Sequence, residues 1–301
     1  MTRERATAFV PGHVTGFFSA HPAPQPAAAG SRGAGLTLSD GVEVTVVRAD
    51  EALGDGRETV VDAPNAEAAG SLTLNGDTTA IGPVADVLDA LDVRARVEVD
   101  TDLPIGAGFG VSGAAALGAA LAANAAADRG RSVNDLVQVA HEAEVERGTG
   151  LGDVVAQARG GIPIRLEPGA PGYGELDAIP AHARVEHVTF GELSTETVLA
   201  GDTAALSEAG ERALSRLRAD PRLSTLMTAS REFAERADLL VPAVAEAIDD
   251  VAEAGDDGDS AAMAMLGRTV FALGTGLSDA GYDPAVSHTD PAGARVVGEA
   301  E

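Results

Sequence analysis

The sequence predicts an α/β fold joined to a helix-rich α+β half, and three observations predict it. Residues 93–128 read as strand, glycine-rich loop and alanine-rich helix, the unit from which α/β layers are built. Residues 5–47 carry apolar β segments broken by Gly and Pro. From about residue 202 onward, helical periodicity dominates. A chain of 301 residues is long enough for one large or two smaller domains. The Pro/Gly-rich stretch 167–182 is the best boundary, which divides the chain into 1–170 and 171–301.

In order along the chain, β segments are expected at Ala6–Gly12 and Val42–Val47, with two more between 58 and 75. A helix is expected over Pro83–Leu91 and an alternating strand over Val93–Val99. The alanine-rich helix runs from about Gly113 to Asp128. Ser132, with Asp135 three residues on, opens a helix that reaches Arg147. The turn Gly148–Gly152 leads into a short helix that Gly160-Gly161 ends, and Ile162–Leu166 reads as a strand. A strand at Ala183–Phe190 precedes four helices at about 202–219, 222–237, 242–254 and 259–273.

Composition narrows the function. With 45% hydrophobic residues and no Trp, the core must be Val, Leu, Ile and Ala. Cysteine is absent, which removes disulfides, thiolate catalysis and Cys-based metal sites and fits a cytoplasmic protein. The formal net charge is −26, and all 21 basic residues are Arg. Dense carboxylate without lysine is what a protein of a salt-filled cytoplasm carries, where the Debye length shrinks to about 3 Å in 1 M salt. Such a field excludes nucleic acid and anionic membranes as partners. No segment has the apolar density of a signal core or a membrane span.

The stretch Asp102–Ala127, DLPIGAGFGVSGAAALGAALAANAAA, is where chemistry is expected. Glycines 106, 108, 110 and 113 let backbone amides approach an anion without a Cβ in the way. The helix behind them adds unpaired N–H groups and about half a positive charge. Close helix–strand packing is the alternative reading. A P-loop is excluded because it needs a Lys, and a dinucleotide fingerprint fails because Gly113 lies two residues too far on. Ser112 sits at the loop–helix junction, where its hydroxyl can cap the helix or reach a metal bound to phosphates.

Three more side chains stand out. On the helix 133–147, Val133, Leu136, Val137 and Ala140 form an apolar stripe, while Asp135, Glu142 and Glu146 lie opposite. Glu144 falls inside the stripe and His141 at its edge. A carboxylate there needs a partner, either an arginine such as Arg147 or a magnesium ion, which favours one or two carboxylates plus phosphate oxygens. His141 reads equally as a packed helix-edge histidine. Asp153 follows RGTGLG and by itself reads as a helix N-cap. Arg165 points away from Ile162, Ile164 and Leu166, as an ion-paired edge residue or as a clamp for a carboxylate. His13 and His21 read as structural or surface residues.

Pro104-x-x-x-Gly108-Phe109-Gly110-Val111-Ser112-Gly113-Ala114-Ala115 resembles the central motif of the GHMP kinases, which bind ATP without a P-loop lysine. FVPGHVTGFFSAH at Phe9–His21 resembles the first motif of that family. Leu266–Gly281 falls where its third motif belongs, with Gly274-Thr275-Gly276 matching the glycine cluster. GTGLGD resembles the mevalonate kinase-like version of the aspartate motif, one residue shorter and without its Pro-Ser pair. The resemblance implies the GHMP kinase fold: an N-terminal S5-like domain with a left-handed βαβ unit, and a helix-rich α+β C-terminal domain, often dimeric.

Within the family, GHVTGFFSAH, GSRGAG, HEAEVERGTGLGD, GGIPIR and MLGRTVFAL resemble the archaeal pantoate kinases. That branch implies transfer of a phosphoryl group from ATP to the 4-hydroxyl of pantoate on the route to coenzyme A. It also implies a homodimer. On this resemblance Pro104, Gly106, Gly108, Gly110, Ser112 and Gly113 bind ATP, and Ser112 and Glu144 hold Mg²⁺. Asp153 serves the 4-hydroxyl, and Ser31, His141 and Arg165 bind the acid. A shikimate or homoserine kinase, or a GHMP-fold sensor without catalysis, remains the alternative.

Overall fold

The computed structural model describes residues 4–49, 71–191, 203–255, 260–265 and 267–299. Its foundation is a pair of long antiparallel strands, β1 (Arg5–His21) and β2 (Gly30–Arg48). The sequence reads here as several short segments because Pro11-Gly12 and the glycines of 30–35 look like breaks. The ladder absorbs these interruptions as register shifts, at Pro11/His13 and at Thr15/Phe17, and does not stop. Val10, Val14, Leu36, Val42, Val44 and Val46 form the buried face, with no exposure.

Strands β3 (Leu72–Leu74), β4 (Asp77–Thr78) and β5 (Ala95–Asp100) extend the sheet beyond β2, with the helix α1 (Gly82–Ala90) between β4 and β5. β3 and β5 are parallel, the one parallel pairing among the described strands. Of the two strands expected between 58 and 75, β3 is seen; residues 50–70 lie outside the described residues.

The alanine-rich segment is the helix α2 (Val111–Ala126), packed on β1 and β2. It starts at Val111, two residues earlier than expected, because Gly110 takes the left-handed conformation (φ 63°) and serves as its N-cap. Small side chains let it press on the sheet: a Cβ on Gly118 would fall 2.5 Å from Val44. α3 (Val133–Arg147) lies against α2, opened by a complete capping box between Ser132 and Asp135. Its wheel is legible with one exception, Val133, which is 63% exposed in the first turn. Then follow α4 (Asp153–Arg159), β6 (Pro163–Glu167), which pairs with β2, and β7 (Glu175–Ala178) on β6.

The rest of the chain makes β8 (Arg184–Thr189), α5 (Ala204–Ala219), α6 (Leu223–Arg236), α7 (Pro242–Ala254), β9 (Ala261–Ala264), β10 (Thr269–Leu273), the short α8 (Gly276–Asp279), β11 (Ala285–His288) and β12 (Arg295–Glu299). The second sheet runs β11-β8-β10-β9, all antiparallel, and β12 returns to pair with β1. The helix expected at 259–273 is therefore two strands. Their residues are buried on both faces, so alternation is lost, and Ala, Met and Leu imitate a helix.

Candidate active site

The loop between β5 and α2 is held by its carbonyls. Ala107 O accepts from Thr269 Oγ1 (2.8 Å), Phe109 O from the His13 amide (2.9 Å) and Gly110 O from Gln157 Nε2 (3.0 Å). Carbonyl and N–H of one trans peptide point opposite ways. Anchoring these three carbonyls therefore turns the amides of Gly108, Gly110 and Val111 away from the anchoring groups. None of the anchors lines the adjacent cavity, whereas all three amide residues do. That cavity has a volume of about 310 Å³. The first amides of α2 also lack partners in their own helix and add the positive end of its dipole.

Of the residues singled out in sequence, Ser31, Gly106, Gly108, Gly110, Ser112, Gly113, Glu144, Asp153 and Arg165 line this cavity. Pro104 precedes the loop and does not. His141 also lies outside the lining: it is 1% exposed and its Nε2 meets Ala29 O at 2.9 Å, just ahead of the strand β2 that carries Ser31. Thr15, Phe18, Thr149 and Met265 line it unannounced.

Packing of α2 on α3 brings Ser112 Oγ to Glu144 Oε1 at 2.6 Å, so neither a helix cap for Ser112 nor an ion pair with Arg147 for Glu144 is seen. Arg147 pairs with Asp86 instead. Glu144 is 2% exposed. Burial pushes its carboxyl up to about 7; the Ser112 bond opposes this and the charge of Asp153 adds to it. Gly150 keeps its second oxygen accessible: a Cβ there would lie 2.6 Å from Glu144 Oε2.

Asp153 is the first residue of α4, with Gly152 as the N-cap, so it does not cap through its side chain. Its Oδ1 is 2.8 Å from Nδ1 of His13, which is fully buried. Burial pushes the Asp153 carboxyl up, but the net direction is below the usual range, and the His13 bond and the Arg165 charge are among the causes that lower it. Arg165 follows from β6 pairing with β2 at Gly33. It is 2% exposed, and among the described residues its Nε and Nη1 find no hydrogen-bond partner. A Cβ on Gly152 would fall 2.4 Å from Ser31 Oγ and 2.6 Å from Arg165 Nε, so this glycine lets the two side chains share one corner.

Sequence reasoning missed His13. Strand alternation could not place it, because the register shift at Pro11/His13 breaks the parity on which that reading depends. The third-motif region also contributes differently from expectation. Gly274-Thr275-Gly276 lies outside the cavity lining, whereas Met265 lines it and Gly267 and Thr269 brace the loop. A Cβ on Gly267 would sit 1.9 Å from Ala107 O.

Comparison with known proteins gives the family. A family model described as GHMP kinases N terminal domain matches residues 79–161. The chain is 37% identical to the pantoate kinase of Thermococcus kodakarensis, over 88% of this chain and 86% of that one. It is 34% identical to the pantoate kinase of Methanospirillum hungatei, over 91% and 89%. A solved structure described as a phosphotransferase related to the CoA biosynthesis pathway superposes with a TM-score of 0.82 at 31% identity, covering 97% of this chain and 98% of that one.

Proposed function

The chain belongs to the pantoate kinase family of the GHMP kinases, and from that membership we propose that its cavity moves the γ-phosphoryl group of ATP to the 4-hydroxyl of pantoate. The observation that carries this reading is a convergence. A lysine-free glycine loop at a helix N-terminus, a hydroxyl–carboxylate pair, an ionised aspartate and a guanidinium with open donors line one cavity.

The amides of Gly108, Gly110 and Val111 suit the oxygens of a triphosphate, with Gly106 and Gly113 leaving the approach open. Ser112 and Glu144 fit a magnesium ion. They offer one hydroxyl and one carboxylate, the latter buried at the cost of its own ionisation, and the cavity beside them has room for phosphate oxygens and water. Bound there, the ion would neutralise charge on the transferring group and the leaving phosphates.

Asp153 positions the 4-hydroxyl in line with the γ-phosphorus. As the oxygen–phosphorus bond forms and the bond to the ADP oxygen breaks, the hydroxyl proton passes to the Asp153 carboxylate. In the corner beside Gly152, the unpaired donors of Arg165 pair with the carboxylate of pantoate, and Ser31 beside it takes a further polar group. His141 serves at one remove, by holding the Ala29 carbonyl and so the turn before Ser31. We also propose that the enzyme works in molar salt, since a chain of charge −26 must admit two anionic substrates.

Phosphoryl transfer measured with pantoate, shikimate, homoserine and mevalonate in 2 M KCl tests the assignment. Turnover is expected to be highest with pantoate. Equal or better turnover of another acceptor would refute the assignment, and nucleotide binding without turnover of any acceptor would point to a sensor.

A further inference from the structure

We propose that His13 is a positioning residue of this reaction, a neutral imidazole whose Nδ1–H fixes one oxygen of Asp153 and leaves the other to the acceptor hydroxyl. The inference rests on the role given to Asp153 above and goes one step behind it.

His13 has no exposure to solvent. Its two nitrogens meet different surroundings. Nδ1 faces Asp153 Oδ1 at 2.8 Å, with Thr15 Oγ1 further off at 3.4 Å. Nε2 is buried and, among the described residues, has no partner. The space on its far side is closed by β2: a Cβ on Gly35 would fall 2.7 Å from Nε2 and 2.2 Å from Val14 O. A proton on Nε2 would be buried without an acceptor among the described residues, which is costly. A proton on Nδ1 meets a carboxylate. A second proton is opposed most by burial; the bond to Asp153 and its charge favour it, the charge of Arg165 opposes it, and the balance lies on the side of the neutral ring. The imidazole is therefore neutral with its proton on Nδ1.

The same residue is tied down on its other side. The His13 amide donates to Phe109 O, inside the glycine loop. The register shift at Pro11/His13 turns the side chain toward α4. One strand position thus links the loop suited to phosphate with the carboxylate suited to the acceptor. Of the two Asp153 oxygens, Oδ1 is engaged by His13. Oδ2 lies toward Gly150 and the cavity, where a Cβ on that glycine would be 3.7 Å away. Fixing Oδ1 decides which oxygen meets the hydroxyl and at what angle.

The test compares wild type, His13→Phe, His13→Asn and Asp153→Asn in 2 M KCl with ATP, Mg²⁺ and pantoate. Asparagine places an amide N–H near the position of Nδ1, and phenylalanine keeps the volume without a donor. His13→Phe is expected to lower kcat about 100-fold, with the KM for pantoate and the affinity for a non-hydrolysable ATP analogue within about threefold of wild type. His13→Asn is expected to regain most of that loss. A wild-type kcat in folded His13→Phe, or a loss carried entirely by KM, would overturn the inference. If Asp153→Asn retains full turnover, the role of Asp153 itself fails. If Asp153→Asn collapses and His13→Phe does not, only the inference about His13 fails. Should His13→Phe not fold, long-range ¹H–¹⁵N NMR of the wild type decides. A neutral Nδ1–H tautomer of His13 supports the inference, and an Nε2–H or doubly protonated ring contradicts it.

Discussion

Glu144 bears electrostatic strain in the cavity. Its ordinary carboxyl value of 4.5 is raised to about 7 by burial and by Asp153, a shift worth on the order of 3 kcal/mol. A carboxyl raised in the folded state contributes full stability below its unfolded value and loses it as the pH rises through the folded one. Metal-free protein should therefore lose stability between about pH 5 and pH 8 on account of this residue. Glu144→Gln is expected to raise Tm at pH 8 in EDTA, to change it little at pH 5, and to abolish Mg²⁺-dependent turnover. An equal loss of Tm at both pH values would contradict the assignment. Arg165→Met is expected to raise the KM for pantoate about 30-fold by removing a charged donor pair, with the KM for ATP much less affected; equal effects on both would place the guanidinium elsewhere. Glu144 was legible because it interrupts an apolar stripe, and Arg165 because strand alternation separates it from its neighbours. His13 was hidden by a register shift, and His141 went to a backbone carbonyl that no sequence pattern reveals.

At the scale of elements, the glycine loop is shaped by what stands behind it. Three of its carbonyls are anchored to β1, α4 and β10, which lie far apart in sequence. Gly267 must stay bare because a Cβ would enter the Ala107 carbonyl at 1.9 Å. Gly267→Ala is expected to weaken binding of an ATP analogue by at least about tenfold, since a 1 Å displacement of a positioned group has effects on the order of 100-fold; unchanged affinity by calorimetry would show that the brace is dispensable. The strand, loop and helix of 93–128 and the capped α3 could be read from sequence because their signals are local: alternation, glycine punctuation and a capping pair. The 259–273 segment could not, since strands covered on both faces carry no period of two. β1 and β2 were read as fragments because a long ladder tolerates bulges that resemble turns.

For the whole molecule, charge sets the working conditions. Exposed carboxylates repel one another over a Debye length of about 10 Å at 0.1 M salt and about 3 Å at 1 M. With a net charge of −26, both Tm and turnover should rise as KCl increases from 0.1 M to the molar range, with the KM values for ATP and pantoate falling; full activity at 0.1 M would contradict this. The site itself depends less on salt, because its potential comes from backbone amides, Arg165 and a bound cation within a few ångströms of the substrates. On the proposed function, the turn ahead of the alanine-rich helix holds a triphosphate by its main chain, with Ser112, Glu144 and Asp153 around the transferring group. A crystal structure with Mg²⁺, a non-hydrolysable ATP analogue and pantoate in molar KCl tests it most directly. Phosphate oxygens are expected at the amides of Gly108, Gly110 and Val111, the ion at Ser112 and Glu144, and the 4-hydroxyl at Asp153. A nucleotide bound away from that turn would contradict it.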